Sequence, residues 1–146
     1  MRSAKILLLA LVALIVGGCA SGVSLSETTA AKAPQSSDVA RIIIYRTGVF
    51  GAAVQPDVLV DGRTTSECQP NSVFFVDVPP GEHTISASSE TTATIRATLP
   101  RATQLYVECS IGMGIMVGRP QLRRVEPSEA QGRIGQLVYS GSYRIN

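Results

Sequence analysis

The sequence VFFVDVPPGEHTIS at residues 73–86 decides the fold class, because it contains a strand, a turn and the start of a second strand. Val73–Val78 is apolar on both faces, which is typical of a central strand buried between two layers. Pro79-Pro80-Gly81 follows, and a proline that fixes φ before a glycine that accepts positive φ predicts a type II turn. From His83 polar and apolar residues alternate, which predicts a second strand.

Short β-type runs continue on both sides of this stretch, and turn residues separate them. Asp61-Gly62 is a strong two-residue hairpin signal. One helical pattern begins at Pro127 and runs to about Leu137. Many short strands with little helix indicate a mainly β protein, an antiparallel β-sandwich over residues 39–146. The other predicted strands are Arg41–Arg46, Pro56–Val60, Arg63–Cys68, His83–Ala87, Thr94–Leu99, Leu105–Cys109, Gln121–Val125 and one within residues 136–146.

The first 18 residues have the pattern of a cleaved signal peptide. Arg2 and Lys5 precede an unbroken apolar run at residues 6–16. A membrane-spanning helix needs about 20 residues, so this run fits the core of a signal peptide better than a permanent span.

Val16-Gly17-Gly18-Cys19 resembles a bacterial lipobox. The resemblance implies cleavage between Gly18 and Cys19, a diacylglyceryl group on the Cys19 sulfur and usually a third acyl chain on the new amine. Ala20 stands where enteric bacteria place Asp to retain a lipoprotein in the inner membrane, which implies the outer membrane, facing the periplasm. The alternative is an ordinary cleaved signal peptide in which Cys19 is incidental.

Residues 20–38 are rich in Ser, Thr and Ala and sustain no period of 2 or 3.6. They predict a flexible linker with a reach of roughly 25 Å. The predicted organisation is therefore a signal peptide at 1–18, a lipidated Cys19 with its linker at 19–38, and a domain at 39–146.

The composition excludes several classes of protein. The 146-residue chain is 45% hydrophobic and 16% charged, with three Cys, one His and no Trp. These values argue against a disordered polyampholyte, a polytopic membrane protein and a disulfide-dense miniprotein. Without Arg2 and Lys5, 11 basic residues remain beside 11 acidic ones. A neutral domain with no basic run has no electrostatic footprint for nucleic acid or anionic lipid.

Five segments, in this order along the chain, resemble bacterial lipoproteins of the domain-of-unknown-function 2846 family over roughly residues 38–137. They are ARIIIYR (40–46), VLVDG (58–62), VFFVDVPPGEHTIS (73–86), LYVE (105–108) and LRRVEP (122–127). The most specific element is VPPGEHT at 78–84, and transthyretin-like and PEGA-type domains have similar turns. The resemblance implies an envelope β-sandwich with no established enzymatic activity, and it supplies no catalytic residues.

Two thiols remain in the mature domain once Cys19 is acylated. The periplasm is oxidising, so Cys68 and Cys109 are predicted to form a disulfide. Two buried free thiols or a redox pair are the alternatives.

His83 is the one histidine of the chain. It follows a tight turn, where its ring can bond to backbone groups, and this structural role is favoured over that of a base or ligand. A metal site needs three or four convergent ligands, so we predict neither a metal nor a cofactor. Asp77 and Glu82 are near in sequence, but strand geometry sends neighbours to opposite faces.

The segment Gly112–Gly118 lacks the Gly-Lys-Ser/Thr ending of a phosphate loop. It is interpreted as a strand or hairpin whose glycines permit close backbone approach. The alternative is an exposed apolar segment that contacts a partner or the bilayer.

Several arginines give the later part of the domain a positive bias. They are assigned to a surface balanced by Glu126 and Glu129, with recognition of an anionic envelope component as the alternative. The arginines are Arg119, Arg123, Arg124 and Arg133.

The sequence therefore predicts a non-enzymatic, lipid-anchored periplasmic module that binds or scaffolds an envelope protein or a cell-wall component. A competing class is an envelope enzyme or inhibitor subunit, which would need His83 beside carboxylates from distant strands. A third is a small-ligand carrier with an apolar pocket between its sheets.

Overall fold

Nine strands form two sheets in the computed structural model, which describes residues 22–29 and 36–146. The predicted leader, its cleavage position and Cys19 lie outside the described residues. The strands are β1 Ala40–Arg46, β2 Asp57–Val60, β3 Arg63–Glu67, β4 Ser72–Val78, β5 Gly81–Ser88, β6 Thr92–Leu99, β7 Gln104–Gly112, β8 Arg119–Val125 and β9 Val138–Arg144. A helix α1, Pro127–Ile134, connects β8 to β9. The predicted β-sandwich with one short C-terminal helix is confirmed.

One sheet has five strands in the order β8-β7-β1-β4-β9, and the other has four in the order β3-β2-β5-β6. Five of the seven strand pairs are antiparallel, whereas β1 runs parallel to β7 and β4 runs parallel to β9. The sheets are thus mainly antiparallel, as predicted, and the two parallel pairs are a feature that the sequence pattern did not indicate. Parallel pairing requires a crossover connection. The second sheet lies between β1 and β7 in the chain, and α1 belongs to the connection that leads into β9.

Strand β4 is buried along its whole length, because the five-stranded sheet is covered on both faces. Phe74 and Val76 point toward the second sheet and belong to the core between the sheets. Val73 and Phe75 point the other way, into a second cluster with Ile134 of α1. The two apolar faces in the sequence thus correspond to two separate layers of packing.

The hairpin and the Pro-Pro-Gly corner carry the backbone conformations that need special residues. Asp61 and Gly62 have φ values of 52° and 77°, the two positive values of a type I′ turn. Gly81 also has a positive φ, but at 152° it is more extended than the roughly +80° of a type II turn. It is already the first residue of β5, so Pro79-Pro80-Gly81 forms the corner at which the chain passes from one sheet to the other.

Part of the predicted linker belongs to the domain. A short 3-10 helix, Leu25–Glu27, lies against the start of β9, and Leu25 is 5% exposed. The Leu25 N–H donates to the Leu137 carbonyl at 2.8 Å, and the Tyr139 N–H donates to the Val23 carbonyl at 3.1 Å. The prediction of a flexible linker is therefore wrong for this stretch. The reason is the apolar surface that Leu137 and α1 offer to Leu25, which the local composition does not reveal.

No helix within residues 22–29 and 36–146 has the length and apolar character needed to cross a bilayer.

Candidate functional site

The exposed apolar side chains of the loop after β1 and of the β7–β8 hairpin gather at one end of the sandwich. Because β1 and β7 are parallel neighbours, both loops leave the sheet at the same end. Met113 and Met116 are each 86% exposed, and Ile115 is 83% exposed. We call this surface the tip; it consists of Phe50, Met113, Ile115, Met116 and Val117. Four of these residues line a shallow cup of about 340 Å³ together with Val54 and Ile111.

The hairpin that carries most of the tip is fixed from behind by the β5–β6 turn. The Glu90 carboxylate accepts the Met116 N–H at 2.9 Å and the Ile115 N–H at 3.0 Å. These hydrogen bonds outweigh desolvation and hold the pKa of Glu90 below its ordinary value. An ideal Cβ on Gly114 would lie 1.6 Å from the Val117 carbonyl oxygen, so the predicted close backbone approach is present. The loop thus keeps its backbone paired while its apolar side chains stay exposed.

Arg46 holds the loop that carries Phe50, and the sequence did not reveal this role. Its side chain is buried at the end of β1, and the residue is 2% exposed. The guanidinium donates to the carbonyls of Cys68 at 2.7 Å, Phe50 at 2.7 Å and Val54 at 2.9 Å. Burial lowers the pKa of Arg46. Five N–H donors in a planar fork suit this task, because one side chain reaches three carbonyls.

Cys68 and Cys109 form a disulfide, with their Cα atoms 6.2 Å apart. Cys68 follows β3 of the four-stranded sheet, whereas Cys109 lies on β7 of the five-stranded sheet. The bond therefore links the two sheets within the core, and the prediction of a disulfide is confirmed.

His83 connects the β2–β3 hairpin to the Pro-Pro-Gly corner. Its Nδ1 lies 2.7 Å from Asp61 Oδ2, and its Nε2 donates to the Pro79 carbonyl at 2.7 Å. The ring is buried. A catalytic Asp–His pair would turn its second nitrogen toward substrate, whereas here that nitrogen bonds to backbone. This geometry is that of a structural histidine.

The Asp61 carboxylate carries a charge that the fold stabilises. Burial raises its pKa, but the Thr84 N–H at 2.9 Å and the His83 ring outweigh burial, so the pKa of Asp61 lies below its ordinary value. A carboxylate with a depressed pKa in the folded state stabilises the fold above its unfolded pKa of about 3.9. That contribution is lost as the pH falls through the lower folded value.

We therefore expect Asp61→Asn to reduce the free energy of unfolding by about 1 kcal/mol at pH 7. Asparagine tolerates the positive φ at this position, so the substitution removes the charge with little backbone strain. Urea denaturation at pH 7 and at pH 3 measures the difference from wild type, which should shrink at the lower pH. Asp38→Asn, at an exposed ion pair of 3.9 Å, is the control. A difference that is the same at both pH values would contradict this account.

The other candidate site suggested by the sequence, His83 beside a carboxylate close to it in the chain such as Asp77, does not form. Asp77 receives two hydrogen bonds from Arg41, at 2.7 and 2.9 Å, and does not approach His83. Within the described part of the chain, no three His, Cys, Asp or Glu side chains converge in a way that could hold a metal ion. A polar groove of about 410 Å³ lies elsewhere, between the β2–β3 hairpin and β9.

Most of the later arginines pair with carboxylates. Glu129 takes part, as predicted, but Glu126 does not have the predicted role: its carbonyl accepts the Ala130 N–H at the start of α1. Glu108 and Glu90 supply the other carboxylates. The ion pairs are Arg123–Glu108 at 2.6 Å, Arg123–Glu129 at 3.0 Å, Arg133–Glu129 at 3.1 Å, Arg133–Glu108 at 3.5 Å and Arg119–Glu90 at 3.3 Å. Arg124 donates instead to the Arg96 carbonyl.

No family model matches the chain. The chain is similar to a protein of Haemophilus influenzae that is described as uncharacterized, with 27% identity over 137 residues that span 90% of this chain and 82% of that protein.

Proposed function

We propose that the protein is a lipoprotein of the bacterial envelope, anchored by acyl groups on Cys19 and most simply placed in the outer membrane facing the periplasm. Its β-sandwich binds or scaffolds an envelope protein or a cell-wall component and catalyses no reaction. The proposal of a lipid anchor depends on the order of features at the start of the chain: two positive charges, an apolar run at 6–16 and the lipobox Val16–Cys19.

The physics of acyl anchoring supports a lasting attachment. Each buried CH₂ contributes about 0.8 kcal/mol, and a single chain binds only marginally. Two or three chains on Cys19 would therefore hold a neutral domain at the bilayer without help from basic residues.

The disulfide supports a compartment outside the cytoplasm. Disulfides persist in the oxidising periplasm and are rare where thiols are kept reduced. Cys68 and Cys109 are joined inside the core, so this bond is structural, unlike the exposed and labile bonds of redox enzymes.

Two features support binding over catalysis. The tip exposes apolar side chains on two loops: Glu90 holds the β7–β8 hairpin and Arg46 holds the loop after β1. Exposed apolar patches mark interaction sites. His83 has both ring nitrogens engaged in structural contacts. A small-ligand carrier would have an apolar pocket between its sheets. Here a core of buried side chains, which include Ile42, Ile44 and Phe74, fills that space.

The anchor is tested by Cys19→Ala placed behind an ordinary cleavable secretory leader. We expect the variant to move from the membrane fraction to the soluble periplasmic fraction with an unchanged thermal unfolding temperature, since the substitution changes none of the contacts within the described domain, which begins at Gly22. Ser21→Ala behind the native leader is the matched control and should stay with the membrane. Unchanged membrane fractionation of the Cys19→Ala variant would contradict the proposal.

The binding role is tested by crosslinking in cells followed by mass spectrometry. The anchored protein should return the same envelope partner in repeated experiments, and the soluble Cys19→Ala variant should return less of it. Recovery of no reproducible partner by the anchored protein would overturn the scaffolding role.

A further inference from the structure

We propose that the tip inserts into the surface of the bilayer that holds Cys19, so that the sandwich stands on the membrane in a fixed orientation. This inference rests on the proposed lipid anchor. The lipid of the anchoring membrane covers the exposed apolar side chains of the tip.

The chain between the anchor and the domain is short. The segment that contains Leu25 is docked on α1 and β9, so the described domain begins at Gly22. Three Cα–Cα steps separate Cys19 from Gly22, and they span at most about 11 Å. A linker of 19 residues would have let the domain move well away from the bilayer, whereas this short connection holds it at the surface.

The chain enters the domain beside the start of β9. Val23 bonds to Tyr139, at the first residues of β9. Strand β9 begins beside Ser72, which pairs with Arg46 at the end of β1. The tip loops follow β1 and β7 at that same end of the five-stranded sheet. Strands β9 and β7 are three positions apart, or about 15 Å. The entering segment runs antiparallel to β9, so the anchor and the tip meet one membrane surface when the sandwich is tilted toward β9.

The side chains of the tip are suited to contact with lipid. The segment 112–118 carries no charged side chain, so it suits the apolar layer below the headgroups. Backbone N–H groups that enter lipid must keep a partner, and Glu90 accepts those of Ile115 and Met116. Methionine is flexible and adapts to irregular surroundings. A loop whose backbone is paired from behind can bury these side chains, while the Glu90 carboxylate, which forms an ion pair with Arg119 at 3.3 Å, stays at the level of the headgroups.

The test uses tryptophan, because the chain contains none. Met116→Trp places a single reporter in the tip. Arg101→Trp is the matched control, an exposed position just before β7 at the opposite end of the sheet. Each full acylated chain is reconstituted into vesicles of phosphatidylethanolamine and phosphatidylglycerol with brominated acyl chains. We expect the bromines to quench Met116→Trp roughly two-fold or more, as for side chains buried 5–10 Å deep, and to leave Arg101→Trp nearly unchanged.

The outcomes separate this inference from the anchor. Chains that carry the acyl groups and float with the vesicles, but show equal and weak quenching at both positions, would overturn the inference and leave the anchor intact. Blue-shifted emission of Met116→Trp without bromine quenching would mean that a protein or a second copy covers the tip, which also overturns it. A chain without acyl groups would overturn the anchor and this inference together.

Three further measurements check this result. Ile115→Trp is a second reporter, expected to be quenched like Met116→Trp, and thermal unfolding checks that each variant folds. Because the tip is uncharged, raising the ionic strength should leave its quenching unchanged. Loss of quenching at high salt would contradict insertion by apolar contact.

Discussion

Replacing both cysteines of the core disulfide, Cys68→Ala with Cys109→Ala, is expected to lower the free energy of unfolding by about 4 kcal/mol. The two residues are 41 positions apart in sequence, and the bond restricts the unfolded chain by closing that loop. It also joins the two sheets directly. Small domains depend on only 5–15 kcal/mol in total, so this loss removes a large part of the stability.

Urea denaturation with and without a reductant measures this effect. Reductant breaks the disulfide of the wild-type protein when the chain unfolds. It should therefore lower the free energy of unfolding of the wild-type protein toward that of the double variant. It should leave the double variant unchanged, which makes that variant its own control. Equal effects of reductant on both proteins, or a loss below about 1 kcal/mol in the double variant, would contradict the structural role of the bond.

Arg46→Met is expected to cost about 3 kcal/mol or more, because it leaves three carbonyls without their donor in the interior. Methionine matches the length of the arginine stem, so the substitution removes the guanidinium and keeps much of the apolar packing. Arg46→Lys should restore part of the loss, since a single ammonium lacks the planar fork that reaches several acceptors.

Chemical denaturation gives the stability of these variants, and hydrogen exchange of residues 47–56 reports on the loop itself. Exchange in this loop should rise in Arg46→Met, since the carbonyls of Phe50 and Val54 lose their donor. Arg96→Met, at an exposed position on β6, is the control. A stability of Arg46→Met equal to that of the control would contradict the assigned role.

The loss of stability caused by Arg46→Met and the loss caused by removing the disulfide should not be additive. Arg46 donates to the carbonyl of Cys68, so the guanidinium and the disulfide hold the same piece of backbone. Neighbouring groups of this kind show interaction energies of about 0.5–3 kcal/mol. A variant that lacks both should therefore differ from the sum of the separate losses.

The strands were predictable because their signals are local. Alternation marks β5 and β7, two apolar faces mark β4, and Asp61-Gly62 marks the turn between β2 and β3. Each depends on a few consecutive residues and on the period of a strand. The disulfide was predictable for another reason: the predicted periplasmic location is oxidising, and two thiols in such a compartment have few alternatives.

The contacts that shape the tip were not predictable from local pattern. Arg46 stands at the end of an apolar strand, and the sequence does not show that three carbonyls converge on it. Glu90 lies in a turn about 25 residues from the backbone that it holds. The apolar segment 112–118 was visible in the sequence, but its proximity to Phe50 depends on the parallel pairing of β1 with β7.

The docking of Leu25 has the largest consequence for function. A Ser- and Thr-rich composition indicated a linker, yet one leucine with a complementary surface on α1 is enough to hold this segment against the domain. The correction shortens the predicted connection between the anchor and the sandwich. If Cys19 is acylated as proposed, the domain is held at the bilayer and is not loosely tethered to it.

The mass of the mature polypeptide, extracted intact from membranes, tests the central claim most directly. The account predicts a chain that begins at Cys19 and carries a diacylglyceryl group with a further acyl chain on its amine. A bare thiol at Cys19, or a chain that retains residues 1–18, would contradict it.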